Sequence, residues 1–170
     1  MKYQYSLIIR IILSFIPILI LTQILTPITI YISYFTLLPY NPSLFGNIII
    51  INSMPFHFIE ACIATYAYYL IILLTLLTKE ITLKTRIKII LIGSGLILLM
   101  NIIRIFILIT ITLNYGLYWF DIIHLAFWKF LSGIYVALVW ILLVKIYKIK
   151  SIPIYDDIKY LYERSFLKKQ

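Results

Sequence analysis

The stretch "IILIGSGLILLMNIIRIFILITITL", residues 89–113, carries a single charged side chain, Arg104, in an otherwise apolar run. As a helix it would reach about 38 Å at a rise of 1.5 Å per residue, more than the ~30 Å hydrocarbon core of a bilayer. Three further runs read the same way: Leu7–Tyr31, Phe58–Leu77 and Ile122–Ile146. The whole chain is 64% hydrophobic and 12% charged with a mean hydropathy of +1.05, which leaves too little polar surface to cover a soluble globule. The expected fold is therefore an all-α integral membrane protein with about four transmembrane helices, spans 7–31, 58–77, 89–113 and 122–146. These form one polytopic domain over residues 1–150, and residues 151–170 form a basic cytoplasmic tail.

Between the first two runs lies "SYFTLLPYNPSLFGNIIIINSMPFH", residues 33–57, rich in Pro, Asn and Ser. Its apolar centre, Ile48–Ile51, is too short to cross a bilayer, so an irregular or re-entrant outer loop that roofs the helices is expected. Pro17 and Pro27 are expected to kink or shorten the first helix. That run is too long for a signal-peptide core and lacks a small-residue cleavage site, so it is expected to stay as a helix. The glycines of "IGSG", residues 92–95, read as a notch for close helix packing rather than a phosphate loop.

A net charge of +9 could point to nucleic acid, but its distribution points to topology. Lys79, Lys84, Arg86 and Lys88 fall in one short loop, and Lys145, Lys148, Lys150, Lys159, Arg164, Lys168 and Lys169 at the C-terminal end. The segments 33–57 and 114–121 hold neither Lys nor Arg. Positive residues mark cytoplasmic flanks, so both termini are expected in the cytoplasm of a multi-pass protein of the cell membrane. The same charges would hold anionic lipid headgroups, and no nucleic-acid partner is expected.

Polar residues inside a bilayer need a reason. Cys62 follows Phe58 by four residues, about 6 Å deep, and Arg104 precedes Leu113 by nine, about 14 Å deep, with snorkelling able to narrow the gap. His124 is two residues into the fourth run. Taken singly, a lone Cys is usually packing, an intramembrane Arg can be an ion-pair strut to Glu60 or Asp121, and a His near a helix end is often interfacial. Together, three helices bring Cys, Arg and His to one leaflet. Cys62 can then serve as nucleophile, Arg104 as stabiliser of the thiolate or of an oxyanion, and His124 as the base and acid that moves the proton. Asp121, three residues before His124, would orient the imidazole, and Asn101, at the same spacing before Arg104, would hold the guanidinium or the substrate. Glu60 is left an interfacial or Arg-pairing role. His57, five residues before Cys62, would lie about 140° away on a continuous helix and so off its face. Lys129, seven residues into the fourth run, has no assigned role. One Cys and two His make a poor tetrahedral site, so neither metal nor other cofactor is expected, and a single Cys excludes an internal disulfide.

The ordered set "EACIAT" around Cys62, "NIIRI" around Arg104 and "FDIIHLAFWKF" around His124 resembles the exosortase/archaeosortase family of membrane-embedded cysteine transpeptidases, over about residues 54–145. The compact size suggests a small archaeal-type member. The resemblance implies Cys62 as nucleophile, Arg104 as the characteristic arginine and His124 as the third catalytic position. It implies as substrates secreted proteins bearing a C-terminal sorting signal: a short motif, a transmembrane helix and a basic cluster. Cleavage near the motif would pass the new C-terminus to a lipid or other amine acceptor. The sequence departs from the family in placing Ile63 and Ala64 after Cys62, where a glycine often follows, and in its shortness. The alternative is a non-enzymatic four-helix subunit for transport or assembly with Arg104 as a structural strut.

Overall fold

The computed structural model describes residues 2–15 and 18–164. The structure described is 76% helical. Its helices are α1 (Lys2–Ser14), α2 (Ile18–Thr36), the single turn α3 (Glu60–Ile63), α4 (Thr65–Leu76), α5 (Leu83–Tyr115), α6 (Leu117–Ala126), α7 (Ser132–Ile146) and α8 (Tyr155–Arg164). A π-helical turn, Phe127–Leu131, joins α6 to α7 without interrupting the rod. Among the described residues three helices are long and apolar enough to cross a membrane, against the four spans expected: Ile18–Thr36, Leu83–Tyr115 and the composite Leu117–Ile146.

The first expected span is thus two helices, and the kink assigned to Pro17 lies outside the described residues. Pro27 sits inside α2, which continues through it. The second expected span is broken: Ala64 takes φ 60°, ψ 31° between α3 and α4, leaving a helix of only 12 residues. At 1.5 Å per residue α4 is about 18 Å long.

Residues 43–57 form a three-stranded antiparallel sheet, not an irregular or re-entrant loop. Its order is β1 (Ser43–Phe45), β2 (Ile48–Ile51), β3 (Met54–His57). Both connections are two-residue hairpins. Asn52 and Ser53 both have positive φ (50° and 64°), as a type I′ turn requires, and Gly46 at φ 57° opens the other. Ile49 and Ile51 are fully buried while Ile48 and Ile50 are half-buried, the period-2 burial of a sheet with one face on a core. That core joins Ile30 and Leu37 from α2 and its C-terminal end to Phe58 and to Ile105 and Ile109 of α5. The sheet therefore roofs the end of the bundle that carries no Lys or Arg in its loops.

A second core lies lower, where α4, α5 and α7 meet around Tyr68, Ile71, Ile97, Val139 and Leu143. Gly93 of α5 lets these helices close. A Cβ placed there would stand 2.8 Å from Ile71 Cγ2 and 3.1 Å from Leu143 Cδ1, whereas one at Gly95 would meet nothing within 4 Å. The packing notch is Gly93 alone.

At the opposite, lysine-rich end, two buried arginines cap the last carbonyls of α4. Arg86 donates to the carbonyls of Thr75, Leu76, Thr78 and Ile81, at 3.0, 2.8, 3.1 and 3.3 Å. Arg10 donates to the Leu76 and Thr78 carbonyls and, at 3.1 Å through each terminal nitrogen, to both oxygens of Asp157. Asp157, also hydrogen-bonded by the Tyr3 hydroxyl, ties α8 to the bundle, so part of the segment read as a basic tail is a docked helix.

Candidate functional site

The break at Ala64 sets the site. In a continuous helix the carbonyls of Ala61, Cys62 and Ile63 would accept from backbone N–H groups four residues on. With Ala64 left-handed, side chains of α5 replace those donors. Arg104 Nη2 donates to the Ala61 and Cys62 carbonyls at 3.1 and 3.2 Å. Asn101 Nδ2 donates to those of Cys62 and Ile63 at 2.9 and 3.3 Å. The three-residue spacing on α5 puts both side chains on one face, so one helix clamps the turn that carries Cys62.

Arg104 and Asn101 are 6% and 4% exposed. Arg104 Nε and Asn101 Oδ1 are buried with no hydrogen-bond partner. Among the described residues Arg104 has no carboxylate partner. Glu60 is exposed and makes no ion pair among the described residues, and Asp121 is exposed with no hydrogen bond to His124. The strut to Glu60 or Asp121 is therefore not formed, because the guanidinium turns to carbonyl oxygens instead. Nor is Asp121 placed to orient the imidazole.

Above the clamp lies a cavity of about 510 Å³. Its polar side chains are Cys62, Arg104, His124, His57 and Thr112, set in an apolar wall that includes Phe56, Ile105, Leu108 and Phe120. Cys62, Arg104 and His124 thus line one chamber, as their shared depth along the sequence suggests. His124 is held by stacking on Phe120, with centroids 5.2 Å apart and rings 21° from parallel. Lys129 is exposed on the π-helical turn and does not line the cavity.

His57 corrects the sequence reading. The helical-wheel argument against it does not apply, because it lies in β3, not on a helix, and borders the same cavity. The Cys62 thiol stands 4.0 Å from the His57 carbonyl oxygen. The usable signal was the pair of hairpin turns, Gly46-Asn47 and Asn52-Ser53, flanking the isoleucine run; it fixes residues 54–57 as extended chain.

Chemically, the arrangement unites a free thiol, two imidazoles that can move a proton, a buried cation and an apolar chamber that limits water. Among the described residues no cluster of His, Cys, Asp or Glu could hold a metal ion. No protein-family model matches the chain, and no curated protein or solved structure matches it either.

Proposed function

We propose that this protein is a membrane-embedded cysteine transpeptidase or protease acting on peptide chains at the outer leaflet. The observation that carries the reading is the convergence of Cys62, Arg104 and His124 on one cavity, with Arg104 bonded to the turn that holds the cysteine. A structural strut would pair Arg104 with an acid, and among the described residues it has none. The sequence resemblance to the exosortase/archaeosortase family points the same way.

In this reading the bundle crosses the cell membrane with its lysine-rich end and both termini in the cytoplasm. The sheet-roofed cavity faces outward. A secreted substrate retained by its own C-terminal helix presents the bond to be cut at that level. An imidazole accepts the Cys62 proton as sulfur attacks the carbonyl carbon. The C–N bond breaks, the imidazolium protonates the leaving amine, and a thioester remains. A lipid-borne or other amine, or water, attacks the thioester carbon and yields its proton to the imidazole; the C–S bond breaks and the Cys62 thiolate regains that proton from the imidazolium. Arg104 fixes the nucleophile's turn and brings a cation beside it, which favours the thiolate and a developing oxyanion.

The test is Cys62→Ala expressed in the source cells. The expected result is a normally folded variant and accumulation of membrane proteins with an uncut C-terminal helix and basic cluster. A folded Cys62→Ala variant that leaves every membrane protein processed as before sinks the enzyme reading. His124→Ala and His57→Ala, made separately, identify the base: loss of about 100-fold or more in turnover is expected at His124 and a smaller effect at His57.

A further inference from the structure

The register of the sheet fixes which backbone groups of β3 are free. A two-residue hairpin closes on a hydrogen-bonded pair, here Ile51 with Met54. Pairs alternate from there: Pro55 opposite Ile50 is not hydrogen-bonded, Phe56 opposite Ile49 is, and His57 opposite Ile48 is not. The other hairpin agrees, since closing on Phe45 with Ile48 turns the polar groups of Ile48 toward β1. The bond from Phe58 N–H to the Asn47 carbonyl continues the alternation. The N–H and C=O of His57 and the C=O of Pro55 therefore point away from β2, to the free edge of the sheet.

That edge borders the cavity, and the Cys62 thiol stands against it, 4.0 Å from the His57 carbonyl oxygen. Neighbouring strands lie about 4.8 Å apart, so the thiol abuts the lane a fourth strand would take. Pro55 is placed where its missing N–H would have pointed outward, which leaves β2–β3 pairing intact and confines full pairing to the His57 end.

We propose that the free edge of β3 captures an extended peptide segment as a fourth strand, with the residue opposite His57 held at Cys62. That residue donates its N–H to the His57 carbonyl, displacing the thiol, and accepts from the His57 N–H. The residue two positions along donates to the Pro55 carbonyl. Side chains of an added strand alternate between faces, so those turned to the cavity meet Ile105, Leu108 and Phe120, and apolar residues at alternate positions fit best. Edge capture of this kind reads backbone, which explains a site with few polar side chains acting on a polypeptide. The proposal rests on the peptide-substrate reading but not on turnover.

The experiment uses the full chain in lipid nanodiscs and measures mixed-disulfide formation at Cys62. The probe is a six-residue peptide of alternating threonine and valine carrying one cysteine as its thiopyridyl disulfide. The Cys62 thiolate displaces thiopyridone and joins the peptide, and the cysteine position is scanned. Each best-reacting peptide is then N-methylated at one backbone position at a time. Alternation is expected: methylation at every second residue slows labelling by about tenfold, and methylation between them changes it by less than about twofold, the size of one or two lost hydrogen bonds. H57P, which removes the edge N–H, should lower the ratio of peptide labelling to methyl methanethiosulfonate labelling by about tenfold relative to H57A, which lacks the same imidazole but keeps the N–H. Methyl methanethiosulfonate labelling of Cys62 reports the intrinsic reactivity of the thiol in each variant, and an unchanged thermal unfolding midpoint reports that the fold is intact. If H57P fails that check, the N-methyl scan on the unaltered chain decides alone. No alternation, or an equal ratio in H57A and H57P with the fold intact, overturns strand capture. Labelling needs no turnover, so alternation with cellular substrates uncut in no variant would sink the transpeptidase reading and leave the strand standing. Cleavage without alternation does the reverse.

Discussion

At φ 60° Ala64 lies where an L-residue with a Cβ is disfavoured by about 1–2 kcal/mol, and it is held there because Arg104 and Asn101 take over the carbonyls that a straight helix would have used. Relief of that strain is a testable consequence. Ala64→Gly should raise stability by about 0.5–1 kcal/mol, and Ala64→Val should lower it by at least about 1 kcal/mol, both read from thermal unfolding in detergent. A lower midpoint for the glycine variant would mean that the clamp does not require the left-handed residue. The break itself was not legible in "EACIAT", which contains neither Gly nor Pro. It arises from two side chains forty residues away in sequence. The convergence of Cys62, Arg104 and His124 on one cavity was legible because charge and polarity in apolar runs are conspicuous. The clamp function of Arg104 was not, since sequence reports which residue is buried but not which acceptor it meets.

Long apolar runs located α5 and the α6–α7 rod, while the first two expected spans are split, and "IGSG" located the notch, but only tertiary contact distinguishes the two glycines. Gly93→Ala should destabilise by about 1–3 kcal/mol, because the new methyl collides with Ile71 and presses Leu143. Gly95→Ala should be neutral or stabilising by up to about 1 kcal/mol, as expected for alanine in open space on a helix. Equal effects in an unfolding series would remove the notch from the account. The sheet escaped the sequence reading for a different reason. Four consecutive isoleucines hide their own alternation, and prolines at positions 39, 42 and 55 suggest irregular chain. Two of those prolines flank the sheet and the third occupies a non-pairing edge position, so none opposes the strands.

At the scale of the molecule, the N- and C-terminal segments meet through Arg10, Asp157 and Tyr3, a contact that nothing in local sequence announces. Both side chains of the ion pair are under a tenth exposed, so Asp157→Asn should weaken docking of α8 by about 3 kcal/mol, read as faster amide exchange across residues 155–164. Unchanged exchange would mean that α8 is held by other contacts. Burial, then the hydrogen bond to Asp157, pushes the Tyr3 hydroxyl up to about 12 from an ordinary value of 10.0. Because the folded chain binds the proton more tightly, this contribution is intact below pH 10 and is lost as pH rises toward 12. A Tyr3→Phe variant should show a flatter decline of stability across that window than the parent chain. An identical slope in both would exclude Tyr3 as its source.

The brevity of α4 has a mechanical meaning. Arg104 and Asn101 grip the turn above it, Arg10 and Arg86 grip the carbonyls at its lower end, and the rod between is about 18 Å long, well short of a ~30 Å hydrocarbon core. Two buried grips are thus held apart by a rigid rod of fixed length. Because each grip is made inside the protein, on backbone carbonyls, the height of the thiol above the lower arginines is set by this rod and not by whatever surrounds the bundle.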